Sequence, residues 1–317
     1  MNVIPQRLKL HGDGFQYLGI LVVNILLCIV TLGLYYPWAR AKNLQYLYGE
    51  TEFAGSRLQF HGTGKEMFKG FIKAIGILVV VMLVCGGLTA SNNTVLAVVG
   101  TLIYLGVLAL IIPAAIHGGL RYRMSRTSWR GIHFGYRGNL RELFGIFGKG
   151  LLLSVLTLGI YANWFIVDIR RYCIGHIRLG NVKFRFDGKG LDLLIINLKG
   201  FVFTILTLGI YSFWYARNLN HFFINNLKVE QDGNDISFQS SLTPGDIFAL
   251  GITNYFLVVF TLGLGLPLAI LRQMRTTIDN IELDGAFNAE TVLQTEEQYT
   301  NATGDDMLDM LDIGLDF

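Results

Sequence analysis

Four polar side chains stand inside apolar runs of this 317-residue chain: Asn24, Lys149, Lys199 and Asn254. Each lies seven or eight positions before the threonine of a Thr-Leu-Gly triplet, at Thr31, Thr157, Thr207 and Thr261. In a helix that is two turns, or roughly 11 Å of rise, so each returns nearly to the threonine face. Polar groups at membrane depth are costly and often mark a solute path. Packed around one axis, the four would form a polar path between repeats. The competing reading, which we prefer, has each lysine reach back to the near interface, seven residues from Glu142 or Asp192, while the asparagines bond helices together.

Other candidates are weaker. Asp168 and Arg171, with Arg170 beside them, have the three-residue spacing of a helical ion pair. A proton or ion relay is the alternative to that structural pairing. Tyr35, Trp38, Tyr161, Trp164, Tyr211 and Trp214 recur as Tyr-x-x-Trp. They read as interfacial aromatic anchors rather than as a binding platform. His11 and His61 fill one slot of a His-Gly-x-Gly turn, and Asp187 takes that slot elsewhere. A turn role is favoured over metal binding, because no further ligands recur with them. No nucleophile elbow, phosphate loop or zinc-helix motif is present, and no aromatic–basic nucleic-acid module. The expectation is a non-enzymatic chain with no cofactor, no metal and no nucleic acid.

The elements that must position these residues are greasy. Hydrophobic residues make up 52% and charged residues 15%, against about 25% charged in soluble domains. Apolar runs cover Phe15–Val30, Ile72–Leu88, Val95–Ile116, Leu143–Trp164, Phe201–Trp214 and Ile247–Ile270. The second and third best meet the roughly 20 residues a spanning helix needs. Cys28, Cys85 and Cys173 lie in or beside such runs, with no disulfide or zinc spacing. The first run follows Arg7 and Lys9 but leads to no small-residue cleavage site, which argues against a signal peptide.

Charge is uneven along the chain. Residues 1–280 hold all 26 Lys and Arg but 13 of the 23 acids, and residues 281–317 hold the other 10 acids. The lipid bilayer is the expected partner, with anionic lipid at the cluster Arg121, Arg123, Arg126 and Arg130. The acidic tail would dock on the basic body or on a partner protein.

Internal repetition organises the rest. Residues 31–64 and 157–190 align without a gap, with ten of 34 positions identical, among them Tyr46/Tyr172 and Trp38/Trp164. Five units follow, about 11–64, 65–138, 139–190, 191–243 and 244–287, forming one domain over 1–287 with the tail at 288–317. Each reads as an apolar helix, a Thr-Leu-Gly break (except in the second), a more polar helix and a short β-hairpin. Turns at Gly180-Asn181 and Asp232-Gly233 are hairpin signals. Open hairpin edges cannot lie in lipid, so the hairpins belong in water, where they could join as one sheet. Helical hairpins that return to one side fit this better than six single crossings.

Thr31-Leu-Gly-Leu-Tyr-x-x-Trp38, Tyr46-Leu-Tyr-Gly49 and Phe60-His-Gly-Thr-Gly64 together resemble the YjgN family of bacterial inner-membrane proteins, also called domain of unknown function 898. The resemblance runs from Leu10 to the acidic tail. The last unit departs from it, lacking the Tyr and Trp at 265–268. It implies a multi-pass protein of a bacterial inner (cytoplasmic) membrane and no assigned activity. The expected fold is a predominantly α-helical polytopic membrane protein built of the five units. The expected function is a structural or assembly component. A small-solute or ion transporter is the alternative, and a lipid-modifying enzyme has no positive support.

Overall fold

The computed structural model describes residues 6–91, 93–285 and 287–295. The chain starts with strand β1 (Gln6–Leu10), helices α1 (Gly14–Val30) and α2 (Tyr36–Glu50), and strands β2 (Thr51–Phe53) and β3 (Ser56–Phe60). Next come α3 (Gly64–Thr89), α4 (Thr94–Ser125), β4 (Thr127–Trp129) and β5 (Ile132–Tyr136), then α5 (Leu140–Leu156), α6 (Ala162–Gly175), β6 (Ile177–Leu179) and β7 (Val182–Phe186). It ends with α7 (Gly190–Leu206), α8 (Ser212–Asn225), β8 (Leu227–Gln231), β9 (Asn234–Ser240), α9 (Pro244–Phe260), α10 (Leu266–Asp279) and β10 (Ile281–Asp284).

The ten strands close into one antiparallel barrel in which sequence neighbours pair and β1 meets β10. This corrects the expectation of a predominantly α-helical polytopic membrane fold. Two observations overturn it. The strands form a closed barrel rather than loose hairpins. Among the described residues only α3 and α4, of 26 and 32 residues, are long and apolar enough to cross a membrane. The remaining apolar runs fold as 17-residue helices (α1, α5, α7, α9), about 25 Å long against a hydrocarbon core of roughly 30 Å.

Antiparallel order dictates where the helices go. Alternate connections in an antiparallel meander lie at opposite barrel ends. The tight turns at Ala54-Gly55, Arg130-Gly131, Gly180-Asn181 and Asp232-Gly233 take one end. All five helix pairs therefore leave from the other. The helices form a second closed circle: each packs on its chain neighbours, and α10 packs on α1.

The barrel core is apolar, with Trp129, Leu179, Val182, Val229, Ile236 and Leu283 buried at its centre. Cross-strand ion pairs lie outside: Arg7 with Glu282 at 2.6 Å, Lys183 with Glu230 at 3.4 Å and Arg185 with Asp235 at 2.8 Å. Burial pushes Asp187 up, yet hydrogen bonds from Lys228 and Arg185 outweigh it and hold the carboxyl below its ordinary range. Residues 287–295 lie across the turn end and bury Phe287 and Val292 in the core. Gln231 Nε2 donates to Asn288 O at 2.8 Å, and Asn181 Oδ1 accepts from Leu293 N at 3.0 Å. Residues 296–317, where most of the acidic tail falls, lie outside the described residues.

The Thr-Leu-Gly triplet is a tight helix-to-helix turn. Each threonine hydroxyl donates back to the carbonyl four residues before it and accepts the amide four residues after it. At Thr157 the partners are Leu153 O, 2.7 Å, and Tyr161 N, 2.9 Å. The next two residues take left-handed backbone, Leu158 at φ 50 and Gly159 at φ 90. The same geometry recurs at Thr31, Thr207 and Thr261.

A second recurring tie explains the shared tyrosines. Tyr46 Oη donates to Asp13 O at 2.7 Å, and Tyr172 Oη donates to Asn139 O at 2.6 Å, each acceptor being the N-cap of the preceding helix. Tyr172 also accepts from Asn139 N. Tyr172→Phe leaves the Asn139 N–H without an acceptor, while Asn139 O keeps its bond from Leu143 N at 3.1 Å, so stability falls by about 1–3 kcal/mol. Thermal unfolding in detergent reads this, and an unchanged midpoint would contradict the tie.

Candidate functional site

A partly polar groove of about 400 Å³ lies between α5 and α6. From α5 it takes Glu142, Ile146, Lys149 and Gly150, spaced at i, i+4, i+7 and i+8 along one helix face. From α6 it takes Asp168, Arg171 and Tyr172, with Tyr161 at its N-cap and His176 at its C-cap toward the barrel.

Most of these groups are already engaged. Arg171 Nη1 donates to Asp168 Oδ1 at 3.0 Å, and its Nη2 donates to Gly188 O at 2.8 Å. The pair expected at Asp168 and Arg171 thus forms, with the guanidinium also clamping the turn before α7. His176 Nδ1 lies 2.8 Å from Tyr172 O, with the two rings 4.3 Å apart. Burial pushes the Tyr172 phenol above its ordinary range, and the Glu142 carboxylate adds to the rise. Glu142 and Lys149 make no hydrogen bond or ion pair among the described residues and are the two charges open to a solute. Sequence reasoning did not single out Glu142, Tyr172 and His176 as groove residues. The seven-residue step from Glu142 to Lys149 was the available signal.

The four residues of the predicted polar path do not converge. Asn24 is buried and donates to Ala39 O at 3.4 Å, and Asn254 donates to Ala269 O at 3.2 Å. Lys149 and Lys199 are exposed. A difference of one residue separates them. In the repeat alignment Asn24 and Asn254 match Gly150 and Gly200, and the lysines precede those glycines. One residue is about 100° of helix rotation. The aligned slot faces the partner helix, and the two sides compensate in volume. Asn lies opposite Ala39 and Ala269, while Gly150 lies under Phe165 and Gly200 under Tyr215.

The aromatic candidates are local stacks. Ring centroids are 6.0 Å apart for Tyr35–Trp38, 5.9 Å for Tyr161–Trp164 and 6.2 Å for Tyr211–Trp214. Trp38 and Trp164 also cover Gly64 and Gly190, leaving no room there for a Cβ. Pro244 takes that slot after Trp214, which is 46% exposed. Of the basic cluster, Arg126 pairs with Glu66 at 2.8 Å, Arg123 donates to Gly119 O, and Arg130 donates to Ala289 O from the turn end. His11 lies 2.6 Å from Glu52, and His61 lies 2.8 Å from Ser128 Oγ. No group of three metal-ligating side chains occurs among the described residues.

Residues 5–203 and 232–310 match the model of a bacterial protein family of unknown function, DUF898. The chain belongs to this family. It is similar to inner membrane protein YjgN of Escherichia coli K12, 33% identical over 166 residues, covering 52% of this chain and 39% of that protein. The YjgN of Salmonella typhimurium LT2 is 30% identical over 181 residues, covering 55% and 43%. The chain thus spans about two fifths of the length of these curated relatives. No solved structure matches.

The volume exchange at the helix contact is testable in this DUF898 member. Gly150→Asn overfills the space under Phe165 and costs about 1–3 kcal/mol. Adding Phe165→Ala rebuilds the Asn24–Ala39 arrangement and recovers at least about 1 kcal/mol of that loss in a double-mutant cycle. Additive losses would contradict the pairing.

Proposed function

We propose that this protein is a structural, non-enzymatic component of the bacterial inner membrane. In this reading the barrel stays in water and holds the helix pairs in the bilayer around one axis. The relatives' name, inner membrane protein, supports the location.

The observation that carries the reading is the set of four helix turns. Leu32, Leu158, Leu208 and Leu262 are 95%, 95%, 96% and 93% exposed, all in left-handed backbone. That conformation costs a branched side chain about 1–3 kcal/mol. Presenting leucine there favours an apolar surrounding. On this basis α3 and α4 cross the bilayer, and the four shorter pairs enter it from the barrel side. The Tyr-x-x-Trp stacks act as interfacial anchors, and Arg121 and Arg123 meet anionic headgroups.

A second reading, small-solute or ion transport, is favoured by one observation: Glu142 and Lys149 share a groove with no protein partner. Flux in proteoliposomes separates the two. The structural reading predicts proton, potassium and chloride leak equal to protein-free vesicles, unchanged by Lys149→Met or Lys199→Met. A solute flux abolished by Lys149→Met would overturn it.

A further inference from the structure

The barrel interior holds a cavity of about 140 Å³, lined from all sides of the sheet by Leu58, Trp129, Phe134, Val182, Phe184 and Phe238, among others. Every lining side chain is apolar apart from the Trp129 indole N–H, and that group donates to Phe53 O at 3.1 Å. A buried water needs two to four polar partners, so this space does not suit water. Engineered cavities of about 150 Å³ with such walls stay dry and take up benzene or xenon. Phe287, in the segment that crosses the barrel mouth, lines the cavity as well. Gly180, at φ 56, lets that segment come close: a Cβ there would meet Leu293 O at 1.9 Å.

We propose that this cavity is a binding site for hydrocarbon, taking the end of an unbranched alkyl chain about six carbons long, the size the comparison with benzene allows. The walls offer only dispersion contacts and removal from water, which is what an alkyl chain needs and a polar solute does not. The barrel's shape also suits the ligand. All ten strands contribute apolar side chains to its wall, so a ligand held there is enclosed by the sheet itself. Two sources carry this chemistry: a free short-chain apolar molecule, and the terminus of a lipid acyl chain.

Trp129 is fully buried on the cavity wall and reports occupancy. The other three tryptophans, Trp38, Trp164 and Trp214, lie in helices and can be replaced by Phe. In that single-tryptophan protein, 1-bromohexane is expected to quench Trp129 saturably. Filling the cavity by Val182→Phe, or independently by Leu58→Phe, weakens the apparent affinity at least about tenfold. Acrylamide, a polar quencher, should fail equally on all three proteins, which verifies that the filled variants are folded. A second arm uses phospholipid brominated at the acyl terminus. Quenching there assigns the lipid chain as the source, and its absence beside saturable bromohexane quenching assigns a free molecule. Linear, unsaturable quenching by bromohexane, or equal quenching in the folded filled variants, overturns the proposal.

Discussion

Pairing between β1 and β10 is the constraint on which the rest of the architecture depends. The strands have three to seven residues, too short for any pair to be stable alone. An open sheet of them would also leave two edges of unpaired backbone. Closing the circle removes both edges and gives the apolar side chains one shared interior. Because neighbours in the circle are neighbours in sequence and run antiparallel, the strand order also fixes which barrel end each connection uses. The helix pairs inherit their common side from the strands, and α10 meets α1 for the same reason that β10 meets β1.

Around that frame, specific polar contacts hold the helices. Arg171 reaches forward to Gly188 O, Gln45 to Gly62 O, and Arg275 to Gly12 O across the closure. Tyr46 and Tyr172 reach back to the caps of the helices before them. The bonds to Gly188, Gly62 and Gly12 satisfy carbonyls of the turns before helices, and the tyrosine bonds add a second donor to cap carbonyls that already accept from Tyr17 N and Leu143 N. Helix pairs held in this way tolerate different side chains at their contact, provided one side shrinks as the other grows, as Asn24–Ala39 and Gly150–Phe165 do. In the groove beside this packing, the exposed charges Glu142 and Lys149 make no hydrogen bond or ion pair among the described residues.

Much of this was legible in the residues. Thr-Leu-Gly was readable as a helix break, since glycine suits left-handed backbone, and Gly180-Asn181 and Asp232-Gly233 as hairpin turns. Barrel closure was not legible. Gln6–Leu10 and Ile281–Asp284 are short segments at opposite ends of the described chain, and no local periodicity records their pairing. The polar path failed for a geometric reason. Spacings of seven and eight residues look alike in sequence, yet they put Asn24 in a helix contact and Lys149 on an exposed face. The Asp168–Arg171 spacing did carry a contact, because positions three apart on a helix are neighbours whatever surrounds them.

Closure can be measured directly. Arg7 and Glu282 lie directly opposite across the β1–β10 pair, where Cα atoms are about 4.5–5.5 Å apart and a disulfide can form. The account predicts that Arg7→Cys with Glu282→Cys, oxidised in intact membranes, gives an intramolecular cross-link in monomeric protein that a reductant reverses. Cross-links found only between molecules, or none under conditions that oxidise a control pair such as Lys183→Cys with Glu230→Cys, would contradict it.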